Sequence, residues 1–123
     1  MATQANLDIK ILFPALARTA TANGTGVDLQ GYINAGGRQM KAFLDVGAVS
    51  GTTPTLDVKL QDSADNVTYA DIAGATFAQA TAATSQAIHF RTNKRYVRAV
   101  ATIAGTTPSF TCSVYALAEK RLT

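Results

Sequence analysis

Ser50-Gly51-Thr52-Thr53-Pro54-Thr55-Leu56 returns 54 residues later as Ala104-Gly105-Thr106-Thr107-Pro108-Ser109-Phe110. Each copy follows a long run suited to a strand and leads into another. Glycine accepts backbone angles closed to other residues. Proline fixes φ at about −65° and has no N–H to give to a ladder, so it does not belong in the middle of a central strand. The two copies therefore read as turns, each within a strand-turn-strand unit. The chain reads as an all-β domain containing two related hairpins.

The residues after each copy support this. Leu56, Val58 and Leu60 alternate with Asp57, Lys59 and Gln61, and Phe110, Cys112 and Val114 alternate with Thr111, Ser113 and Tyr115. A period of two with one apolar face is the mark of a half-buried strand. The runs before the copies do not match each other. Val97, Ala99, Ala101 and Ile103 share one face, whereas Met40, Ala42, Leu44, Val46 and Ala48 are the apolar set in the first unit. A bulge or a different turn length would flip the face.

Working outward, Leu7-Asp8-Ile9-Lys10-Ile11-Leu12-Phe13 alternates with Leu7, Ile9, Ile11 and Phe13 on one side until Pro14 interrupts it. That pattern predicts either the first, edge strand of the sandwich or an arm adding a strand to a partner's sheet. Residues 1–26 are assigned to this arm or edge strand plus a flexible loop, and residues 27–123 to the sandwich proper. Asn34-Ala35-Gly36-Gly37 and Asp62-Ser63-Ala64-Asp65-Asn66 carry turn chemistry. Gln86, Ile88 and Phe90 mark a further strand, and Thr92-Asn93-Lys94 a hairpin loop. The expectation is a single-domain β-sandwich or jelly roll of about eight strands.

Composition narrows the function. A chain of 123 residues is expected to form one domain. Glu119 is the only glutamate and Cys112 the only cysteine, which excludes charged helical bundles and any intrachain disulfide framework. Cys112 falls on the apolar face of its strand and reads as a structural thiol. The net charge is only +3, but it is unevenly spread. Asp45, Asp57, Asp62, Asp65 and Asp71 face only Lys59, whereas no acid occurs from Ile72 to Ala118, where Arg91, Lys94, Arg95 and Arg98 lie. Such a division suits contact with a charged protein surface or with a second copy, and equally suits two solvated faces. Nucleic-acid binding would need a denser basic stripe with exposed aromatics. Met1-Ala2-Thr3-Gln4 opens no basic-then-apolar leader, and no apolar run has membrane-helix length, so neither secretion nor a membrane partner is predicted.

The sequence carries few residues suited to catalysis or metal binding. His89 is the only histidine and lacks the companions a zinc site requires. Gly47-Ala48-Val49-Ser50-Gly51 is not a nucleophile elbow. If the first turn closes a hairpin, Asp45 and Asp57 become neighbours able to serve a glycosidase or Ca²⁺, with Lys59 diagonal to Asp45 and able to neutralise it. Tyr32, Tyr69, Tyr96 and Tyr115 would stack on sugars if they clustered. No catalytic residue, cofactor or metal is predicted.

Three stretches carry a resemblance: Gly26-Val27-Asp28-Leu29-Gln30-Gly31; Leu56-Asp57-Val58-Lys59-Leu60-Gln61-Asp62-Ser63; and Arg95-Tyr96-Val97-Arg98-Ala99-Val100 leading to Gly105-Thr106-Thr107-Pro108. Between about Val27 and Ala118 the chain resembles the small jelly-roll capsid cement, or decoration, proteins of tailed phages. Where that family's pattern has Asp-Gly and an aromatic, this chain has Asp65-Asn66 before Val67-Thr68-Tyr69, a difference of turn type. The resemblance implies a virion protein on the outer surface of an assembled major capsid shell. It implies binding to the major capsid protein and to itself, as a dimer or trimer at a capsid symmetry axis, and it carries no catalytic residue. The contact surface is assigned to Leu7, Ile9, Ile11 and Phe13 and to Arg91, Lys94, Arg95 and Arg98. The alternatives are a tail or baseplate β-sandwich and a carbohydrate-binding module for host adsorption.

Overall fold

The structure, a computed structural model, describes residues 7–30 and 39–119. Seven strands are present among the described residues: β1 Leu7–Arg18, β2 Ala22–Asn23, β3 Val27–Asp28, β4 Gln39–Ser63, β5 Ala70–Thr76, β6 Thr84–Arg91 and β7 Tyr96–Glu119. There is no helix among them. The protein is all-β and forms a single-domain β-sandwich. The expected turn at 34–37 lies outside the described residues.

β4 and β7 organise the fold. They are antiparallel along their whole lengths, from Lys41 opposite Leu117 to Ser63 opposite Tyr96. The repeated stretches sit midway, and Thr52 faces Thr106. The expectation of two hairpins is thereby corrected. Neither copy closes a hairpin; each is a sharp bend inside one continuous strand, and the two bends are paired with one another. Gly-Thr-Thr-Pro breaks local regularity as foreseen. However, each half-strand finds its partner in the other copy's unit and not across its own turn.

The remaining strands flank this pair in the same two halves. β1 runs along the second half of β7, and β2 and β3 run along its first half. β6 pairs with the first half of β4, and β5 pairs with the second half. One sheet is thus bent across its middle. The first layer is β1, β7 from Phe110, β4 to Val49, and β6. The second is β2 and β3, β7 to Ala104, β4 from Thr55, and β5.

The bends also account for the mismatched faces. From Val46 to Val49 β4 takes three steps while β7 takes two, Cys112 to Phe110. From Thr52 to Thr55 β4 again takes the extra step, whereas from Ser109 to Thr106 β7 does. Each extra residue reverses which side chains point inward. Two reversals leave β4 with even-numbered residues inside throughout: Met40, Ala42, Leu44 and Val46, then Leu56, Val58 and Leu60. A single reversal switches β7 from Val97, Ala99 and Ala101 to Phe110, Cys112, Val114, Ala116 and Ala118. All belong to one core between the layers. Each large apolar side chain there contributes about 1.5–3 kcal/mol of burial. The many alanines keep the layers close.

Candidate interaction surface

The two outer faces of the sandwich differ. On the first layer, odd-numbered residues of β4, β6 and β7 point outward. In register they form cross-strand rows. Ile11 lies beside Tyr115, then Phe43, then Ala87; the next row is Ile9, Leu117, Lys41 and His89. The Phe43 and Tyr115 rings stack with centroids 5.0 Å apart and planes inclined by 19°. Ile9 is 62% exposed and Ile11 53%. The result is an outward-facing apolar band, one row deep across four strands and extended on β1 and β7 by Ile9 and Leu117. Lys41, whose ammonium lies 5.7 Å from the Phe43 ring centroid, marks one end of it on β4, and Asp45 the other. Burial first, and then the neighbouring Asp45 carboxylate, pushes the Tyr115 phenol's pKa up.

The outer face of the second layer is polar and satisfied internally. Lys59 Nζ lies 3.1 Å from Asp71, which also accepts from Gln61 Nε2 at 2.8 Å. These two donors, Gln61 first, hold the Asp71 carboxyl below its usual range. Arg98 Nε donates to Gln61 Oε1 at 2.9 Å, and its guanidinium lies 4.1 Å from the Tyr69 ring centroid. Gln79 Nε2 donates to Asp57 at 3.0 Å.

The predicted contact residues divide between these environments. Ile9 and Ile11 join the exposed band. Leu7 pairs with Glu119 at the end of β1. Phe13 does not share their face: the ladder shifts register between Ile11 and Phe13, and Phe13 is 2% exposed, covered by Arg18 at 4.1 Å. Leu12 and Phe13 are therefore both inside. Arg91 ends β6 and Lys94 lies exposed in the following loop. Arg95 is held by Asp28, with Nε to Oδ1 at 2.9 Å and Nη2 to Oδ2 at 2.8 Å. Arg98 is in the network just described. The basic stretch is therefore not one uncommitted patch. Phe43, Tyr115 and Leu117 are additions that the strand alternation did not single out, because Phe43 and Tyr115 stood on what read as polar faces.

The candidate chemistry is also separated. Asp45 pairs across from Ser113 in the first layer and Asp57 across from Thr102 in the second. They are not hairpin neighbours, and Lys59 pairs with Asp71 instead of Asp45. His89 is exposed on β6, and Cys112 is buried, its thiol pushed up by burial. A depression of about 330 Å³ includes Asp62, Asp71, Arg91 and Thr92 in its lining. There Asp62 accepts from Thr92 Oγ1 at 2.7 Å. Tyr115 lies on the first layer's face, whereas Tyr69 neighbours Arg98 on the second; Tyr32 is outside the described residues. No group of three or more His, Cys, Asp or Glu that could hold a metal ion occurs among the described residues, and no helix there is long and apolar enough to cross a membrane.

The Asp28–Arg95 pair sets one expectation. Hydrogen bonds to its carboxylate, first the pair from Arg95 and then one from the Gln30 backbone N–H, lower the Asp28 pKa to about 2. A carboxylate whose folded pKa lies below its unfolded value stabilises the fold above the unfolded value, near 4, and loses that contribution as pH falls through the folded one. Both side chains are 45% exposed, so solvent screening keeps the effect under about 1 kcal/mol. Urea midpoints measured from pH 5 down to pH 2 (roughly, the window between the two values) are expected to decline, and to decline less in Asp28→Asn. Equal slopes in the two proteins would exclude the pair as a contributor.

No family model matches the chain, and no curated protein does. Among solved structures it is similar to the PBSX exported protein XepA, at 17% identity and a TM-score of 0.61 over 94% of this chain. The chain spans only 38% of that protein's length. It also matches the SPBc2 prophage-derived protein YomS, at 11% identity and a TM-score of 0.47 over 98% of each chain. The likeness to XepA is one of fold: this bent-sheet sandwich is shared with part of a phage-derived exported protein.

Proposed function

We propose that this protein is a non-catalytic phage virion component that adheres, as a small symmetric oligomer, to the outside of the assembled major capsid shell and stabilises it. The observation that carries the reading is the contrast between its faces: an outward apolar band on one layer, and a self-satisfied polar network on the other. A rigid sandwich with one adhesive face suits a structural partner better than a small-molecule substrate. The sequence resemblance to capsid cement proteins supports the same class, and the fold shared with a phage-derived exported protein agrees with a phage origin. Cementing needs only modest affinity per copy, because contacts sum around a shell. The separation of Tyr115 from Tyr69 weighs against a flat aromatic platform for sugars.

Purified protein is expected to add saturably to expanded shells lacking it and to raise their melting temperature. Absence of uptake by such shells would reject the proposal. Immunogold labelling of the tail and not the head would select a tail or baseplate role.

A further inference from the structure

The apolar band has a charge pattern that fits a second copy of itself. Along the outward side of β4, Lys41, Phe43 and Asp45 follow one another, with a cation before the aromatic and an anion after it. Suppose two such faces stack about a two-fold axis lying in their plane and perpendicular to the strands. The axis passing Phe43 reverses β4, so Lys41 meets the partner's Asp45 and Asp45 meets the partner's Lys41. The row through Ile11, Tyr115, Phe43 and Ala87 lies on the axis and meets its own image. Both ends of β4 are matched by the same operation, as a self-complementary interface requires.

We infer that this face is a homodimer interface, with the Ile11–Tyr115–Phe43 row at its centre and two Lys41–Asp45 pairs at its rim. It deepens the oligomer part of the proposal above and does not depend on the capsid: in the dimer the band is covered by the second copy, and the shell is met by surface outside it. The area is adequate but not large. Four strands at about 4.8 Å spacing and about eight residues at 3.3 Å rise give about 500 Å² of projected face per copy. Both copies together bury about 1,000 Å², near the lower bound of specific interfaces. The expected dimer is therefore reversible, with a micromolar dissociation constant. Neighbouring sites on a lattice would raise its occupancy. Among the described residues the second layer's face offers no comparable surface, since Asp71, Gln61 and Arg98 are already engaged with one another.

Sedimentation equilibrium of the full chain, from about 1 to about 500 µM, reads this directly. The wild type is expected to move from 12.8 kDa to twice that mass. Lys41→Asp sets Asp against Asp at both rim positions, and Asp45→Lys sets Lys against Lys. Each is expected to weaken the dimer about tenfold or more. Circular dichroism should be unchanged, because both positions lie on the outer face. An equimolar mixture of the two variants restores both pairs and is expected to dimerise at wild-type strength, as is the double swap. A wild type that stays monomeric throughout, a trimer, or single variants that associate like the wild type would each overturn the inference. If the wild type stays monomeric but Lys41→Asp abolishes uptake by shells, the face belongs to the capsid contact; the proposed function then stands while this inference falls.

Discussion

Gly51→Ala and Gly105→Ala are each expected to destabilise the protein by about 3 kcal/mol, far beyond an ordinary exposed substitution. Their φ angles are +107° and +122°, a region L side chains rarely adopt. Space is lacking as well. A Cβ on Gly51 would stand 2.6 Å from the Thr107 carbonyl oxygen and 2.8 Å from Pro108 Cα. A Cβ on Gly105 would meet the Thr53 oxygen at 2.8 Å and Pro54 Cα at 2.9 Å. These are backbone atoms of the opposite copy and cannot rotate away. Each glycine thus lets the other strand's Thr-Pro step approach, and the two bends lock reciprocally. Gly74 is the control: its φ is +75° but nothing lies within 4 Å of a Cβ there, so Gly74→Ala is expected to cost only about 1 kcal/mol. Urea denaturation followed by circular dichroism gives all three values. Equal costs at Gly51 and Gly74 would mean the bends are not closely packed.

The same pair of bends shows where sequence reading succeeds and where it stops. Leu56-Asp57-Val58-Lys59-Leu60 and Phe110 to Val114 reveal their buried faces directly, because a strand's alternation is local. Gly-Thr-Thr-Pro reveals that regular pairing is interrupted. The same chemistry serves a hairpin turn and a mid-strand bend, and the choice between them rests on which distant segment lies alongside. Thr52 opposite Thr106 is a contact 54 residues apart in sequence, invisible to any window of neighbouring residues. The turn at Asp65-Asn66 was legible in kind: Asn66 takes φ +63°, a conformation glycine and asparagine enter most readily. Asp65 fixes it by accepting from the Val67 and Thr68 backbone.

The adhesive face was legible only in part. Ile9 and Ile11 were correctly grouped on one side of β1, but alternation alone does not say whether that side faces in or out. On an edge strand with a register shift, the usual inference from apolar to buried fails. Leu12 and Phe13 go inside while the isoleucines stay outside. Phe43 was misleading for a related reason. Its neighbours in the alternation are Lys41, Asp45 and Gly47, so its face reads as polar until Tyr115 and Ile11 are laid beside it. Arg95 and Arg98 stood out as cations in a basic run. Their partners Asp28 and Gln61 come from strands far away in sequence, and those partners decide how much of each charge remains available.

Phe110→Ala is the test of the inward side, expected to cost about 4 kcal/mol. Phe110 is the last residue of the second repeated stretch, as Leu56 is of the first, and both are fully buried. Phe110 lies between Arg18 on β1 and Val49 on β4, where the first layer leaves the bend. Truncation opens a cavity among main chains already held close by the reciprocal glycines, so collapse around it is limited. For a domain of this length such a loss lowers Tm by about 15 °C. Leu56→Ala removes fewer atoms and is expected to cost about 3 kcal/mol. Phe43→Ala deletes the same side chain as Phe110→Ala from the opposite side of the sheet. In the monomer it forfeits chiefly the stack on Tyr115, about 1 kcal/mol. Thermal melts at low protein concentration separate the two cases. If Phe43→Ala and Phe110→Ala lowered Tm equally, the assignment of one phenylalanine to the core and the other to the adhesive face would be wrong, and the dimer geometry built on it would go too.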